Sequence, residues 1–573
     1  MKSVLKYLKN YKKELILGPF FKLLEAIFEL IVPVVMAKII DIGIGQSDRG
    51  YIFKSGIVLV LLAIFGLSSA YVCQFFAAKC AYGFGTELRS ALYKKINSFS
   101  HAELDRFGTS ALTTRITNDT TLVQTGVNMF IRLGIRAPFL IIGAMVMSFM
   151  LNFKMALIFV VLVPIIVFVL YLIMSYTVPR YRRNQKKLDE LSRKVHENLD
   201  GTRVIRAFTR QKEETNDFNE KANNYGDSVV EVQKISSLLS PLSTLIMNIG
   251  IAVVIVLGGF KINAGNLSQG ELTAFVNYMT QISLALVVLA NLIITFTKAI
   301  ASAKRIQEIL ECETTLKEGN DEFKNSDGNI PIIEFKNVSF SYPGSSEHSI
   351  SDISFKIQKG QTVGIIGGTG SGKSTILNLV SHYYDTSEGE ILVNGKNIQD
   401  YSSESLRNNI GIVPQKSILF NGTIKENLRY RKKDATEDEM IQALKTSQSY
   451  DFVMKNHKGL DAPVSQGGSN FSGGQKQRLA IARAIVGKPD IIIFDDSMSA
   501  LDYATDFELR KAIANDCKNS TVIIVSQRAT SLKNADLILV MENGKCTASG
   551  THDLLLETSK TYREIYNSQI ENN

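Results

Sequence analysis

The segment "TVGIIGGTGSGKSTILNLV" (362–380) decides the architecture of the second half of this chain. A short apolar strand pattern enters a glycine-rich turn and leaves it as a helix pattern. Within it, Gly367, Gly368, Thr369, Gly370, Ser371, Gly372, Lys373, Ser374 and Thr375 have the spacing G-x-x-x-x-G-K-[ST]. Glycines there let backbone N–H groups close on phosphate oxygens, and the N-terminus of the following helix adds a favourable dipole. At this spacing Lys373 reaches the β- and γ-phosphates of a nucleotide, and the Ser374 hydroxyl ligates Mg2+. A chance glycine-rich turn is the plain alternative. The strand before it and the helix after it argue against that.

The surrounding sequence supplies the rest of an α/β domain over 332–573. "IIEFKNVSFSY" alternates as a strand, and "IIIFDD" and "TVIIVSQ" are short apolar runs of the kind found in buried parallel strands. "LILVMENGKCTASG" reads as a hairpin turning at Asn543 and Gly544. The region 421–470 is mostly helical in pattern. The polar stretch 311–331 reads as a linker.

Residues 1–310 have a different character. The chain has 573 residues, of which 45% are hydrophobic, and it is too long for one domain. Apolar runs near 16–40, 56–76, 131–151, 155–176, 238–262 and 272–297 are each about the 20 residues that cross a hydrocarbon core. Basic residues open the chain, but no small-residue cleavage site follows, so no signal peptide is expected. Cations crowd one set of flanks: Lys2, Lys6, Lys9, Lys12 and Lys13, then Lys79, Arg89, Lys94, Lys95, Arg106 and Arg115, then Arg180, Arg182, Arg183, Lys186 and Lys187. The opposite loops, near 41–54, 152–154 and 261–270, are short and carry few. The positive-inside rule therefore puts both termini in the cytosol. Much of the net charge of +9 lies in these flanks, so no nucleic-acid partner is called for. The cysteines Cys73, Cys80, Cys312, Cys517 and Cys546 form no C-x-x-C pair and read as free thiols. In "KKLDELSRKVHENLDGTRVIRAF", Leu188, Leu191, Val195 and Leu199 are spaced as on a helix. The long polar connections are therefore expected to be helices extending below the membrane.

"NFSGGQKQR" (470–478) resembles the signature of ATP-binding cassette (ABC) transporters, and it lies between the phosphate loop and the second acidic strand as that family places it. The resemblance covers the whole chain: a membrane α-helical bundle of six spans with long intracellular helices, then one P-loop ATPase cassette. It implies a half-transporter of the exporter class, with ATP and Mg2+ as cofactors, in a bacterial plasma membrane. Residue by residue, Tyr342 in "FSYPG" matches the aromatic that stacks on adenine, although an ordinary strand tyrosine is the alternative. Gln415 in "VPQ" matches the glutamine that contacts Mg2+ and couples to the membrane domain. Asp495 matches the acid that holds Mg2+ through water, and Asp502 in "SALD" the loop that communicates across the cassette dimer. Phe471, Ser472, Gly473, Gly474 and Gln475 match the signature that faces a partner's ATP, with Phe471 in place of the usual leucine. "RFGTSALTTRITND" and "GTRVIRAFTRQKEE" resemble the coupling helices that dock on cassettes.

Two positions depart from the family pattern. Asp496 stands where the family has the glutamate that activates water, and Gln527 stands where it has a histidine. Aspartate is one methylene shorter and withdraws its carboxylate by roughly 1 Å, a misplacement that can cost ~10²-fold. Loss of a general base costs ~10²–10⁴-fold. Glutamine can hydrogen-bond a γ-phosphate but cannot carry a proton or positive charge. "VSQGG", before the signature, also departs from the family's Gly-Glu-Arg-Gly pattern. The binding parts are kept and the two hydrolysing parts are altered. The resemblance therefore points to the degenerate-site subunit of a heterodimeric exporter, whose signature completes a competent partner's site.

The membrane half says less about cargo. Glu25 and Glu29 lie one helical turn apart in the first span. They either attract cationic amphiphiles, or sit near the interface or pair locally, for instance with Lys22. Asn277, Thr280, Gln281 and Asn291 share a polar side of the last span, where they either line the pathway or join helices. Amphipathic drugs are the expected cargo, with lipids or peptides behind. A peptide-processing exporter is disfavoured, because only about 15 residues precede the first span. An ATP-gated channel or regulatory subunit is the reading from another class, and uphill transport in sealed vesicles separates the two.

Overall fold

The computed structural model describes residues 2–324, 330–498 and 501–570. The chain divides into two compact units. One comprises Met1–Asn97 and Ser110–Cys312, the other Ser98–Thr109 and Glu313–Asn573.

The first unit is helical. Among the described residues, five helical stretches are long and apolar enough to cross a membrane: Arg49–Asn97, Thr109–Leu151, Phe153–Asp200, Gln211–Asn263 and Gln269–Glu311. The remaining expected span is the 27-residue helix Lys12–Lys38. It carries Lys22, Glu25 and Glu29 across its middle, which lowers its apolar character. Phe153–Asp200 runs unbroken for 48 residues, about 70 Å at 1.5 Å per residue. A hydrocarbon core is only about 30 Å thick. The polar connection after the fourth apolar run is therefore helix, as its spacing implied.

Pro33 lies inside the first helix and has no N–H to give the carbonyl of Glu29 one turn earlier. The side-chain Nε2 of Gln281 donates to that carbonyl at 3.4 Å. The fully buried Tyr278 donates its hydroxyl to the neighbouring Leu30 carbonyl at 2.7 Å. In an apolar medium a carbonyl freed like that of Glu29 needs a partner from a neighbouring helix.

The second unit holds two principal sheets. Strands β1 (Ile333–Phe340), β2 (Ile350–Ile357), β4 (Glu388–Val393) and β5 (Lys396–Asn397) form an antiparallel sheet in the order β2-β1-β4-β5. The second sheet contains β3 (Thr362–Gly367), β6 (Ile410–Val413), β9 (Ile491–Asp495), β10 (Thr521–Val525), β11 (Leu537–Glu542) and β12 (Lys545–Gly550), in the order β12-β11-β3-β10-β9-β6. Its five central and far strands are parallel, and only β12 runs antiparallel, against β11. Residues of β9 and β10 are buried on both faces, as unbroken apolar runs imply. Asn543 and Gly544 have φ of 48° and 76° and make the hairpin turn that the sequence implied. A small pair, β7 (Gly422–Thr423) with β8 (Pro463–Val464), sits in the otherwise helical region.

The stretch read as a linker is not free where it is described. Asp321 N–H donates to the Asp400 carbonyl and Ser402 N–H to the Asp321 carbonyl, both at 3.0 Å. Lys317 N–H donates to Asp385 at 2.9 Å. A Cβ on Gly319 would stand 1.9 Å from the Asp400 carbonyl oxygen, so glycine permits this close path. The short helix His101–Phe107, which ends where the first of the two segments resembling coupling helices begins, belongs to this unit. Its Asp105 accepts from the Tyr384 hydroxyl at 2.5 Å, and the ring of His101 stacks on Tyr383.

Candidate active site

Parallel strands present their chain-turning loops at one edge, and ligands of open α/β sheets bind there. Here β3 ends in the phosphate loop, β9 in Asp495 and Asp496, β10 in the loop bearing Gln527, and β6 in the loop bearing Gln415. Val525 pairs with Asp495 in register, and the backbone N–H of Asp496 donates to the Val525 carbonyl at 3.1 Å. Strand pairing thus places the start of the loop that carries Gln527 beside the acidic pair. Side chains of Gln415 and Gln527 are both exposed at this edge.

The phosphate loop closes on its own lysine. The Lys373 ammonium donates to the carbonyls of Gly367 at 2.9 Å and Gly368 at 2.5 Å, and to Ser371 Oγ at 3.3 Å. Burial pushes its pKa down, and the charges of Asp496 and Asp495 oppose that. Gly372 needs to be glycine: its φ is 95°, and a Cβ there would lie 2.6 Å from the Ile350 side chain. Gly368 is under no such constraint, since a Cβ there meets nothing within 4 Å. Ser374 Oγ donates to Asp495 Oδ1 at 3.1 Å, which joins the loop to β9.

Both acids sit above the usual carboxylate range. For Asp495 the cause is burial, offset by the Ser374 hydrogen bond and by Lys373. For Asp496 it is burial followed by the neighbouring charge of Asp495, opposed by Lys373 and Arg528. Asp496 also has a φ of 45°, a left-handed conformation in which aspartate is among the better tolerated side chains. Nothing in the local sequence signals that backbone.

Tyr342 stands over the helix that follows the phosphate loop. Asn378 Nδ2 donates to its hydroxyl at 3.1 Å, and the hydroxyl shares a 3.3 Å contact with Thr375 Oγ1. Its ring packs edge-on against Phe340 and Tyr384.

The signature segment opens the helix Gly473–Ile485 as a capping box. Ser472 Oγ accepts from Gln475 N–H at 3.3 Å, and Gln475 Oε1 accepts from Ser472 N–H at 3.0 Å. A Cβ on Gly473 would meet nothing within 4 Å. Gly474 follows in the first turn, and Phe471 packs edge-on at 6.4 Å from Phe452. Asp502 caps the helix Tyr503–Asp516 by accepting from Thr505 N–H at 2.9 Å, which holds its carboxyl below the usual range. Ser499 and Ala500, just before it, lie outside the described residues.

In the helical unit, the carboxylates singled out from sequence are paired. Lys22 donates to both oxygens of Glu25, at 2.8 and 2.6 Å. Arg136 bonds Glu29 at 2.6 Å and approaches Glu25 at 4.0 Å. Two cations therefore balance two anions, as in the local-pairing alternative. Arg136 was missed by sequence reasoning, although a cation within the apolar run 131–151, which holds Arg132 as well, is itself a signal. Gln281 serves the Glu29 carbonyl, and Asn277 donates to the Thr273 carbonyl of its own helix at 3.0 Å.

Comparisons with known proteins agree with this layout. The family described as the ABC transporter transmembrane region matches residues 15–309, and that described as ABC transporter matches 350–499. The ABC transporter ATP-binding protein YfiB of Bacillus subtilis is 36% identical, over 100% of this chain and 99% of that protein. The ATP-dependent lipid A-core flippase of Haemophilus ducreyi is 28% identical, over 99% of this chain and 98% of its own length. The structure of a bacterial Atm1-family ABC exporter with ATP bound superposes with a TM-score of 0.83, over 97% of this chain and 99% of that one, at 24% identity. That last likeness is one of fold.

Proposed function

The chain belongs to the ABC transporter family, as a helical transmembrane region fused to an ATP-binding cassette, and on that premise we propose that it is the degenerate-site subunit of a heterodimeric exporter. The observation that carries this reading is the pair Asp496 and Gln527 at a sheet edge whose phosphate loop and signature cap are intact. In this reading the chain's own phosphate loop builds a slow site. Its Ser472, Gly473, Gly474 and Gln475 complete the fast site of a second half-transporter. Both termini lie in the cytosol of a bacterial plasma membrane.

The oxygen donors at the sheet edge fit Mg2+, a hard cation that prefers such ligands. Ser374 and Asp495, already 3.1 Å apart, would hold it together with Gln415. When bound, the ion neutralises charge on the nucleotide phosphates. Lys373 and the loop N–H groups orient the phosphates, Tyr342 receives the base, and Asp496 positions water less well than a longer carboxylate.

Amphipathic small molecules are the first cargo reading. A membrane lipid is the second, supported by the full-length similarity to a lipid flippase and by the charge balance around Glu25 and Glu29. Stimulation of ATPase by lipid or by cationic amphiphiles separates the two. The main test compares this chain purified alone with the complex it forms in its own membrane. The lone chain is expected to hydrolyse ATP at least ~10²-fold more slowly. Full activity from the lone chain overturns the heterodimer reading.

A further inference from the structure

We propose that Gln569, on the C-terminal helix Lys560–Ile570, is a positioning residue for ATP hydrolysis that acts by holding the loop carrying Gln527. This rests on the reading that Gln527 serves the nucleotide's γ-phosphate.

The side-chain amide of Gln569 makes two bonds to that loop. Its Nε2 donates to the Gln527 carbonyl at 2.7 Å, and its Oε1 accepts from the Ala529 N–H at 2.9 Å. A primary amide offers one donor and one acceptor side by side, which matches a backbone carbonyl and the N–H two residues on. The amide therefore stands in for a neighbouring strand just where β10 has ended. It spans Arg528 and constrains the dihedrals on both sides of it. The start of the loop is tied by Ser526 N–H to the Ile365 carbonyl at 3.2 Å, and by Arg528 N–H to Ser526 Oγ at 3.0 Å. Beyond Ala529, the Arg510 guanidinium bonds Ser531 Oγ at 2.8 Å. Gln569 holds the stretch between these anchors, which contains the carbonyl of the exposed Gln527 itself.

A clamp needs a rigid mount, and this helix has one. Tyr562 is fully buried, and its hydroxyl shares a 2.7 Å hydrogen bond with the buried His552 ring. Arg563 Nε donates to the Leu556 carbonyl at 2.7 Å. The position of Gln527 is thus set from a helix 42 residues further along the chain. A displacement of about 1 Å at a reacting centre can cost up to ~10²-fold.

The test uses the full-length chain in lipid nanodiscs, at enzyme concentrations that make slow turnover readable, with Gln527→Ala, Gln569→Ala and their double variant. Gln569→Ala is expected to lower kcat for ATP about tenfold with KM unchanged, and to have no further effect once Gln527 is alanine. The near-isosteric Gln569→Glu keeps an acceptor for Ala529 but sets a carboxylate against the Gln527 carbonyl. It is expected to lose kcat as alanine does, which separates the clamp from mere packing. Equal losses with and without Gln527 overturn the proposal, as does an unchanged kcat in both Gln569 variants. An inert Gln527→Ala overturns the γ-phosphate reading and the clamp with it.

Discussion

The side chain of Gln281 replaces a backbone hydrogen bond that Pro33 takes away from Glu29. Its amide reaches the Glu29 carbonyl at 3.4 Å, across the contact between the first and last helices of the membrane unit. Gln281→Leu should therefore destabilise the protein by about 1 kcal/mol, a usual size for such bonds in membranes. In a Pro33→Ala background the N–H is restored, and the same change should cost nothing further. Thermal unfolding of the four proteins in one detergent reads this cycle. Equal penalties in both backgrounds would show that Gln281 matters for another reason.

The four charges Lys22, Glu25, Glu29 and Arg136 behave as one balanced group. Arg136→Met should leave the carboxylates under-paired and lower both yield and thermal stability. Adding Glu29→Gln should recover much of the loss, because an unpaired charge costs more than a missing pair. Stability of the single and double variants is the measurement.

Restoring the two altered side chains should restore chemistry at this chain's own site. Asp496→Glu with Gln527→His is expected to raise hydrolysis by about 10²-fold, the usual worth of a placed general base. The two changes should be non-additive, since both act on one water and one phosphate. ATPase of the single and double variants checks this.

Gly473 and Lys373 should differ in severity when changed in the assembled complex. A Cβ at Gly473 has open space beyond its own helix backbone, and an acid in the first helical turn favours folding. Gly473→Asp should nonetheless cut ATPase by ~10²-fold or more, by intruding on the partner's nucleotide. Lys373→Ala should weaken ATP binding at the slow site and leave a substantial part of turnover. Measurement at saturating ATP distinguishes the two. Equal losses would make the sites equivalent.

Glu103 supplies a pH dependence. Burial pushes its carboxyl up, but hydrogen bonds from Ser100 and Thr315 outweigh that and hold it below the ordinary value of 4.5. One oxygen accepts from Ser100 N–H at 2.9 Å and Oγ at 2.6 Å, the other from Thr315 N–H at 3.0 Å and Oγ1 at 2.8 Å. A carboxyl whose folded pKa is depressed stabilises the fold above its unfolded value, and that stability is lost as pH falls through the folded value. Glu103→Gln turns an NH2 toward two donors and should cost about 1–3 kcal/mol at pH 7. The deficit should shrink as pH is lowered below the ordinary glutamate range. Thermal melts from pH 7 to about 3 follow it.

The phosphate loop, the acidic strand end and the Asn543-Gly544 hairpin were legible from residues alone. Each depends on neighbours within a few positions: a spacing, a periodicity or a turn that needs a positive φ. The signature segment and the departures at 496 and 527 were legible only against the pattern of a family that the chain resembles. Tertiary structure alone decided the pairings made over long separations. Glu29 meets Arg136 from 107 residues away, Gln281 reaches the Glu29 carbonyl from 252, and Gln569 reaches the Gln527 loop from 42. Periodicity reports which face of a helix is apolar but not which other helix lies against it. A buried carboxylate, a proline-freed carbonyl and a loop beyond a strand end each demand a partner, and only the folded chain shows which residue answers.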